Sequence, residues 1–592
     1  MNNTLTDYFL ELINDYGFNK NAFFTKEDEE YIPFSYSDLA KNLICLMKYF
    51  ISNDIYPGDK VSILSENRTE WVTVDFACMF YKAVSVPLYT STSENQIRYI
   101  LENSESKICF VSNSFLAEKI LKMKKDLPSL RIVSVFNNIS KDEDYYKSIS
   151  LFGDILKNKT NSDENEILSE LIKLSESVKE NDLLTIIYTS GTTGNPKGVM
   201  LSHKNIYSNV KACKKVLPIS DKDRFLSYLP YSHIYERTAG YYLALFSGAE
   251  VYYAQNIETI SAQLPEVKPT IVITVPRLLD KIYNRLMKSS DTIKNPFKKI
   301  LFNQAINLAN NSTDKSSFKW KLFDRLVYKK IREKTGGEIR FFVSGGGALN
   351  SHIGRFFENT GLTTLEGYGL TETSPVISVN PPEMNKYGTV GKAIDGVEIR
   401  LSDDNEILVK GDLVMQGYYK DEKATGESIK DGWLYTGDIG IIDDEGYLKI
   451  TDRKKSLFKT SGGKYIAPVL IEDLLCSLDF VETVVAIGNE RMFVTALIVP
   501  FENELIEYSR KQNINFKTYE ELLTDPKLHQ LIQRDIDIKQ SSLAHFERVR
   551  RFTLLPKPFS IESGELTPTL KVKRKFVEEK YSDEIEKMYL KL

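Results

Sequence analysis

The chain has 592 residues, of which 42% are hydrophobic and 27% charged, as in ordinary folded proteins of more than one domain. Its formal net charge of −4 shows no basic excess, so nucleic-acid binding is not indicated. The five cysteines form no CxxC pair, and no stretch approaches the roughly 20 apolar residues of a transmembrane helix. With no signal-peptide pattern at the N-terminus, we expect a cytoplasmic protein with buried, reduced thiols.

The first third of the chain alternates short β-branched runs with helical patterns. KVSIL (residues 60–64), VSVPLY, KICFVS and RIVSVF are predicted strands, and the stretch after the first of them is a predicted helix. A second helix is predicted in SENQIRYILENSE, with Ser93 as its N-cap. Such alternation predicts parallel sheets covered by helices. The polar segment Asn137–Asn181 is expected on the surface, with one or two short helices.

The middle of the chain continues this pattern, with an apolar helical run to Leu245 and predicted strands in EVYYA, TIVITVP and EIRFFVSGGGAL. A polar, helix-patterned segment lies at about residues 278–334. From about residue 396 to 450 the sequence pattern changes to alternating short strands and turns, which predicts a small antiparallel β-unit. Mixed strands and helices follow, so a domain boundary is predicted near Asp452–Lys455.

One motif, TSGTTGNPKG at residues 189–198, concentrates hydroxyls and glycines beside a β-run. Glycines let backbone amides approach an anion closely, and hydroxyls add further donors, so the motif predicts a phosphate site. It is not a Walker A loop, because Lys197 follows Pro196 and precedes Gly198. A turn-rich strand connection would explain the glycines alone, but ten residues of this composition beside a β-run favour an anion site.

Two further segments suit a nucleotide. In LEGYGLTET (365–373), Tyr368 between glycines could stack on a planar base, and Glu372 could hold a hard cation. In YTGDIG (435–440), Asp438 on a glycine-flanked turn could accept hydrogen bonds from a ribose. Taken singly, these are also compatible with a strand end and an ordinary turn.

Two cationic segments lie beyond the predicted boundary: DRKKSLFKTSGGKYIAP (452–468) and GELTPTLKVKRKF (564–576). Each alone could be a solvated charged surface or a basic tail. The three preceding motifs together describe a nucleotide site, and the two cationic segments lie beyond the predicted domain boundary.

All five segments, in this order, resemble the adenylate-forming superfamily of acyl-CoA synthetases, peptide-synthetase adenylation domains and luciferases. LPYSHIYER, LTPTLKVKR and the stretch from DGWLYTGDIG to KYIAP are similar to long-chain fatty-acid–CoA ligases. The resemblance implies an α/β fold with a large N-terminal domain (residues 1–452) of mostly parallel sheets, including the small β-unit. It also implies a small, mobile α+β C-terminal domain (residues 453–592) that turns about Lys455.

The implied reaction has two steps. A fatty carboxylate attacks the α-phosphate of ATP and releases pyrophosphate, and the thiol of coenzyme A then displaces AMP from the acyl-adenylate. ATP, Mg²⁺ and coenzyme A are the implied cofactors.

The resemblance also assigns roles to residues. In the expected catalytic group, Lys571 bridges the carboxylate and the α-phosphate, Glu372 and Thr189 hold Mg²⁺, His233 lies at the mouth of the acyl pocket, and Lys455 is the hinge. The expected nucleotide and coenzyme A contacts are Thr189, Ser190, Gly191, Thr192, Thr193, Gly194, Lys197, Gly346, Glu366, Gly367, Tyr368, Thr371, Asp438, Arg453, Lys455, Lys459, Gly462 and Gly463. At Glu366, relatives often have Gln.

Three alternatives stay open at this point. An acyl-adenylate ligase that passes the acyl group to a carrier-protein thiol would use the same sites. A binding protein without catalysis is disfavoured because Lys197, Glu372, Asp438 and Lys571 are all present. A kinase-like phosphoryl transferase is disfavoured by the missing Walker A pattern. The sequence also leaves open a peripheral contact with the inner face of the membrane and a homodimer.

Overall fold

The computed structural model describes residues 3–140, 146–157, 163–189, 195–289, 293–311, 315–454, 457–462, 464–560, 563–567 and 572–590. The chain divides into two compact units. The first comprises Met1–Arg400, Leu408–Tyr435 and Ile442–Lys449, and the second comprises Leu401–Ile407, Thr436–Ile441 and Ile450–Leu592.

An eight-stranded sheet lies in the first unit. From edge to edge its strands are Gly417–Tyr418, Lys197–Ser202, Leu183–Thr189, Val84–Leu88, Lys60–Leu64, Ile108–Val111, Ile132–Val135 and Ser150–Leu151. Six strands are parallel, and the two at the Gly417 edge pair antiparallel. Parallel strands need crossover connections, and helices supply most of them here.

A nine-stranded sheet also lies in the first unit. Its strands, in order, are Lys392–Ala393, Val376–Val379, Thr363–Gly369, Phe341–Ser344, Ile271–Thr274, Arg224–Ser227, Glu250–Tyr253, Asn21–Glu27 and Glu30–Ser35. The central six are parallel. In the register Thr274 pairs with Ser344, and Ser344 with Glu366, so these three residues stand in a row. Thr274 and Ser344 are the last residues of their strands, and Glu366 is the last parallel-paired residue of Thr363–Gly369.

The helices of the first unit lie between and outside these sheets. The α-helices are Leu5–Tyr16, Tyr36–Ser52, Thr69–Tyr81, Glu94–Ser104, Ser114–Lys124, Phe152–Leu156, Glu164–Ser177, His203–Val216, Leu243–Leu245, Ile260–Val267, Pro276–Ser289, Pro296–Asn311, Phe318–Phe323, Lys329–Glu333, Ser351–Asn359 and Glu422–Ser428, and the π-helical segments are Glu236–Tyr242 and Asp324–Tyr328. No described helix is long and apolar enough to cross a membrane.

Successive residues of a strand belong to different hydrophobic clusters, one on each face of its sheet. In the eight-stranded sheet, Ile187 belongs to a central hydrophobic cluster, whereas Ile186 and Tyr188 belong to an outer one. In the nine-stranded sheet, Ile273 belongs to the same central cluster and Val272 to another outer one. Successive strand residues point to opposite faces, so the central cluster joins one face of each sheet.

The helix Thr69–Tyr81 lies deep in the central cluster. Every side chain from Trp71 to Phe80 is buried, including the charged Asp75. A helix that is apolar nearly all round belongs in a core, and the fully buried carboxylate of Asp75 therefore requires a partner there.

A third, five-stranded sheet contains Glu398–Leu401, Glu406–Lys410, Trp433–Ile442 and Ile429–Lys430 in that order, with Leu448–Arg453 paired to Trp433–Ile442. These strands account for most of the region predicted as a small β-unit. Gly417–Tyr418 differs, because it joins the eight-stranded sheet instead.

The C-terminal part of the second unit is an α+β structure. Its three-stranded sheet has the order Val481–Ile487, Val494–Pro500, Val549–Leu554, and Phe458–Lys459 pairs with Tyr465–Ile466. Two hydrophobic clusters cover opposite faces of the larger sheet. The helices are Pro468–Cys476, Glu502–Lys511, Tyr519–Leu523, Pro526–Lys539, Arg574–Lys580 and Ser582–Leu590.

The predicted fold class is confirmed, as is the strand at residues 60–64. Ser93 does occupy the N-cap of the helix Glu94–Ser104, but its side chain makes no capping hydrogen bond there. Four cysteines are buried as expected, whereas the expectation is wrong for Cys476, which is exposed. The polar segment after Asn137 contains one substantial helix, the 14-residue Glu164–Ser177.

Candidate active site

The predicted phosphate motif begins on a β-hairpin. Leu183–Thr189 and Lys197–Ser202 pair antiparallel, with Thr189 opposite Lys197. The Thr189 hydroxyl donates a 3.4 Å hydrogen bond to the carbonyl of Lys197. Gly198 is needed for packing, because a Cβ there would lie 2.7 Å from Cγ2 of Ile186. The hairpin thus holds both ends of the motif, whose Ser190, Gly191, Thr192, Thr193 and Gly194 lie outside the described residues.

Lys197 and Glu372 converge on one aromatic side chain, Tyr418. Its hydroxyl donates a 2.8 Å hydrogen bond to Oε1 of Glu372, and Nζ of Lys197 lies 5.0 Å from its ring centroid. Tyr418 reaches this position because its strand pairs with Lys197–Ser202. Burial first, and then the nearby Glu372 carboxylate, raise the pKa of Tyr418, so its hydroxyl stays a donor. Sequence reasoning missed Tyr418, although it lies only 46 positions after Glu372.

The predicted base platform is a strand with buried polar residues. Glu366 is 5% exposed, and its Oε1 accepts a 3.2 Å hydrogen bond from the backbone N–H of Gly388. Burial raises the pKa of Glu366 to about 7. Gly367 and the buried Tyr368 continue the same strand, Thr363–Gly369. The middle of this strand therefore carries a buried carboxyl group that can be protonated or ionised near neutral pH.

Gly346 lies in the turn after the neighbouring strand Phe341–Ser344. Its φ of +77° is in the region that favours glycine. The residue before it, Gly345, leaves room for the ring of Tyr235, since a Cβ would lie 2.7 Å from Cζ. Ligands of open parallel sheets bind outside the carboxyl ends of the strands, which is where Gly346 and Glu366 stand.

His233 is held in a turn that leads into the helix of residues 234–245. Its Nδ1 accepts a 3.1 Å hydrogen bond from the backbone N–H of Tyr235. The backbone N–H of His233 donates a 2.9 Å hydrogen bond to the carbonyl of Pro230. The Tyr235 hydroxyl donates a 2.8 Å hydrogen bond to the carbonyl of Val343. The histidine is thereby placed beside the strand that leads to Gly346.

A fully buried arginine connects this helix to the other sheet. The Arg237 guanidinium forms an ion pair with Asp75 and donates 2.9 Å hydrogen bonds to Thr185 Oγ1 and Ser85 Oγ. Burial disfavours its charge, but the Asp75 carboxylate outweighs burial and raises the pKa of Arg237. Thr185 is four residues before Thr189 on the same strand. The network thus fixes the position of the His233 segment relative to the hairpin, and sequence reasoning did not find it.

Glu236, which precedes Arg237 in the sequence, is a buried acid that forms no ion pair with any described residue, because Arg237 pairs with Asp75 instead. The Ser227 hydroxyl donates a 2.6 Å hydrogen bond to its Oε1, while Oε2 has no hydrogen-bond partner among the described residues. Burial raises the pKa of Glu236 to about 8, so the carboxyl group is mostly protonated at neutral pH. The absence of a side chain at Gly240 leaves room for the Glu236 carboxyl group, because a Cβ at residue 240 would lie 2.4 Å from Oε1 of Glu236.

In the second unit, the predicted ribose residues form an ion pair. Nε of Arg453 lies 2.9 Å from Oδ1 of Asp438, which is 4% exposed. The N–H of Asp438 donates a 3.1 Å hydrogen bond to Oγ1 of Thr436. Asp452 is also buried, and burial raises its pKa to about 6. The structure therefore brings together two of the residues that sequence reasoning assigned to one task.

The remaining predicted residues of the second unit are only partly described. Lys459 is an exposed residue of the strand Phe458–Lys459, and Gly462 lies in the turn that follows. A Cβ at Gly462 would meet nothing closer than 3.9 Å, so packing does not require glycine there. The roles assigned to Lys455, Gly463 and Lys571 concern positions outside the described residues.

The donor set of the first unit fits a hard cation shared with phosphate. Glu372 and Thr189 offer a carboxylate and a hydroxyl, the oxygen ligands that Mg²⁺ takes. Among the described residues no group of three or more His, Cys, Asp or Glu could hold a metal by itself. A site of this kind takes its other ligands from water and from the phosphates of a bound nucleotide.

Comparisons with known proteins agree over nearly the whole chain. The family described as "AMP-binding enzyme" matches residues 13–419, and the "AMP-binding enzyme C-terminal domain" matches residues 456–592. Long-chain-fatty-acid–CoA ligase FadD15 of Mycobacterium bovis is 35% identical over 91% of this chain and 90% of its own. Long chain acyl-CoA synthetase 7, peroxisomal, of Arabidopsis thaliana is 32% identical, over 100% of this chain and 87% of its own.

Solved structures show the same fold at lower identity. The adenylation domain of a carboxylate reductase from Mycobacterium chelonae superposes with a TM-score of 0.77 and 22% identity, covering 99% of this chain and 91% of that one. An anthranilate CoA ligase in complex with anthranoyl-AMP superposes with a TM-score of 0.72 and 19% identity, covering 98% of this chain and 97% of that one.

Proposed function

Because the chain belongs to the family of AMP-binding enzymes, we propose that it is a long-chain-fatty-acid–CoA ligase. It activates a long-chain fatty acid with ATP to an acyl-adenylate, releasing pyrophosphate. Coenzyme A then takes the acyl group as a thioester, releasing AMP. The relatives that carry this name cover about nine-tenths of the chain.

The single observation that supports this activity best is the convergence of Lys197 and Glu372 on Tyr418 at the end of the hairpin. A cation and a carboxylate held a few ångströms from the same ring, beside a glycine- and hydroxyl-rich motif, suit a triphosphate and its metal. Electrostatic stabilisation of developing charge is usually the largest contribution to such catalysis.

In the first step, Lys197 and the hairpin motif bind the β- and γ-phosphates. Glu372 and Thr189 hold Mg²⁺, which when bound offsets the negative charge of the triphosphate. Lys571 lies between the fatty carboxylate and the α-phosphate and reduces the repulsion between the two anions as they meet. His233 borders the acyl carbonyl at the mouth of the pocket.

The nucleoside is held by a second set of residues. Tyr368 stacks on the adenine, and Glu366 contacts its polar edge. Asp438 accepts hydrogen bonds from the ribose hydroxyls, and Arg453, its ion-pair partner, orients its carboxylate. The ion pair supports this assignment, because Arg453 fixes the orientation of a buried carboxylate whose oxygens accept hydrogen bonds.

In the second step, coenzyme A replaces pyrophosphate. The domain that begins at residue 453 turns about Lys455, so that Lys571 leaves the site and the loop with Gly462 and Gly463 admits the pantetheine arm. A few residues that absorb a backbone change are sufficient for such a hinge.

The protein works in the cytoplasm, in peripheral contact with the inner face of the membrane, and as a homodimer. The lipid nature of the substrate supports the membrane contact, since a long-chain acid partitions into bilayers. The oligomeric state is measured by light scattering, where a monomer at micromolar concentration contradicts the homodimer.

The function is tested by supplying carboxylates from acetate to C20 and measuring pyrophosphate and acyl-CoA. Each buried methylene contributes about 0.8 kcal/mol, so activity should rise from negligible at acetate to a maximum at C12–C18. A maximum at acetate or at an aromatic acid contradicts the substrate. Pyrophosphate release without acyl-CoA, in the presence of free coenzyme A, indicates a carrier-protein acceptor instead.

A further inference from the structure

The stretch from Phe318 to Glu333 is a continuous helical segment of the first unit with one buried side. Phe323, Val327, Tyr328 and Ile331 are buried in the outer cluster of the nine-stranded sheet. The Tyr328 hydroxyl donates a 2.7 Å hydrogen bond to the carbonyl of Ala305 on the preceding helix. These contacts fix which side of the helix faces the solvent.

That solvent-facing side has large apolar side chains. Phe318 is 82% exposed, Leu322 43% and Leu326 41%, and they are spaced four residues apart, so they form one stripe. Single exposed apolar residues are ordinary on protein surfaces, but three in a row on one helix face are not.

Cations flank the stripe on both sides. The exposed basic residues of the segment are Lys319, Lys321, Arg325, Lys329 and Lys330, and none forms an ion pair with a described residue. The one acid within the stripe's length, Asp324, is already paired to Arg332 at 2.7 Å. We call the three apolar and five basic residues together the basic helix face.

The preceding helix repeats this composition. Pro296–Asn311 contains no Asp or Glu, and its exposed residues include Phe297 at 82% and Ile300 at 56% beside Lys298, with the exposed Lys294 just before the helix. Both helices belong to the polar segment that sequence analysis found between two strands and to which it assigned no function.

From these observations we propose that the basic helix face is the surface by which the protein docks on an anionic lipid bilayer. Phe318, Leu322 and Leu326 enter the boundary between headgroups and acyl chains, and the five cations contact lipid phosphates. A helix that lies in the interface needs this combination of bulky apolar residues and a basic rim. The inference rests on the proposed peripheral location and names the part of the molecule responsible for it.

Charge complementarity selects lipid over the other occupants. A second copy of the chain would bring the same basic face against itself, so like charges would meet. A bilayer of anionic lipid offers a negative potential together with an apolar layer, and each basic residue near its surface contributes to binding.

The test measures binding of the full chain to vesicles of phosphatidylcholine with 30% phosphatidylglycerol, by flotation. One variant carries Phe318→Asn, Leu322→Gln and Leu326→Gln, and another carries Lys319→Gln, Lys321→Gln, Lys329→Gln and Lys330→Gln. The control is Phe115→Asn with Lys122→Gln on another exposed helix, Ser114–Lys124.

We expect the partition coefficient to fall at least about tenfold in both variants and to stay unchanged in the control. Binding of the unsubstituted protein should weaken with added salt and be far lower on pure phosphatidylcholine. Equal losses in the control, or no loss in the two variants, would overturn the basic helix face. Loss of self-association in place of vesicle binding would make the face a protein interface, and no vesicle binding by any form would overturn the membrane location as well.

Folding and function are followed separately. Circular dichroism checks that the variants fold, and acyl-CoA synthesis is measured with fatty acid delivered on albumin, so that no bilayer is required. Normal synthesis with undiminished vesicle binding in both variants contradicts only the basic helix face. Absent synthesis in every form, with the expected vesicle pattern, contradicts the proposed function and leaves this surface standing.

A second readout reports insertion directly. In a Cys476→Ser background, Phe318→Cys labelled with an environment-sensitive dye should shift to the blue on anionic vesicles, and Phe115→Cys should not. A shift of equal size at both positions would contradict a specific docking face.

Discussion

The Tyr418 hydroxyl donates a 2.8 Å hydrogen bond to Oε1 of Glu372, while the ring of the same tyrosine lies 5.0 Å from Nζ of Lys197. One side chain therefore positions both the carboxylate proposed to hold the metal and the cation proposed to hold the phosphates. Neither of these charged groups has to be placed by the nucleotide itself. The first prediction separates these two contributions of Tyr418.

Glu372→Gln should lower the rate of pyrophosphate release about a hundredfold or more, because it removes a hard oxygen ligand. Tyr418→Phe keeps the ring beside Lys197 and removes only the hydrogen bond, so the loss should be roughly tenfold at most and smaller at high Mg²⁺. Pyrophosphate release is measured against the Mg²⁺ concentration, with Tyr419→Phe as the matched control. Full activity of Glu372→Gln would remove this carboxylate from the metal site.

The second prediction concerns the buried pair Arg237–Asp75. Arg237→Met leaves an uncompensated buried carboxylate and should lower the free energy of unfolding by about 3–5 kcal/mol. The double variant, Arg237→Met with Asp75→Asn, should lose less free energy of unfolding than Arg237→Met alone, because no charge is then left unpaired. Urea unfolding measures both effects.

The matched control for this pair is Arg98→Ala, which breaks the exposed pair Arg98–Asp126 and should cost no more than about 1 kcal/mol. A loss at Arg237 as small as that at Arg98 would show that the buried network does not contribute to stability.

The third prediction is a pH dependence caused by Glu236. Its pKa is raised from 4.5 to about 8, so between these values the folded protein keeps a proton that the unfolded chain has lost. The free energy of unfolding therefore falls as the pH rises, by up to about 1.4 kcal/mol per pH unit from this group. Below pH 4.5 the group is protonated in both the folded and the unfolded protein, so it causes no change of the free energy of unfolding with pH there.

Glu236→Gln removes that titration, so the variant should gain stability relative to the unsubstituted protein as the pH is raised from 5 to 8. Chemical unfolding at several pH values gives the difference, with Glu118→Gln at an exposed carboxylate as the matched substitution. A difference that is constant over this range would mean that Glu236 is ionised in the folded protein at neutral pH.

The fourth prediction separates the two half-reactions. Lys571→Ala should lower acyl-adenylate formation by orders of magnitude and leave thiolysis of added acyl-adenylate nearly normal. Lys455→Pro fixes φ near −65° and should do the reverse, with pyrophosphate release retained and thioester formation lost. Lys575→Ala, at an exposed lysine of the helix Arg574–Lys580, is the control.

Both half-reactions are measured in all three variants. If Lys571→Ala lost thiolysis and kept adenylation, or if the two variants lost both steps equally, the alternating-domain mechanism would be wrong for this chain.

The sequence allowed the fold class to be predicted because its strands are short, β-branched and separated by helical patterns, as at residues 60–64. It did not predict the hairpin Asn21–Ser35, whose partner strand Glu250–Tyr253 is far along the chain. The motifs at 189–198 and 365–373 singled out Lys197 and Glu372 as candidates, and the structure places both beside Tyr418. Tyr418 and Arg237 were missed, because their importance comes from tertiary contacts that no local pattern records.

The sheet register also has a consequence for synthesis on the ribosome. Phe23 pairs with Val251, so the hairpin Asn21–Ser35 is made 228 positions before its neighbour in the sheet. At about 5–20 residues per second, the hairpin waits roughly 10–45 s for that neighbour. A two-stranded hairpin is at best marginally stable alone, so throughout this interval the nascent chain presents an unpaired strand edge with Phe23 and Phe24 uncovered. Chains released before Tyr253 lack the strand that pairs with this hairpin, and we expect them to be substrates for chaperones and proteases rather than folded fragments.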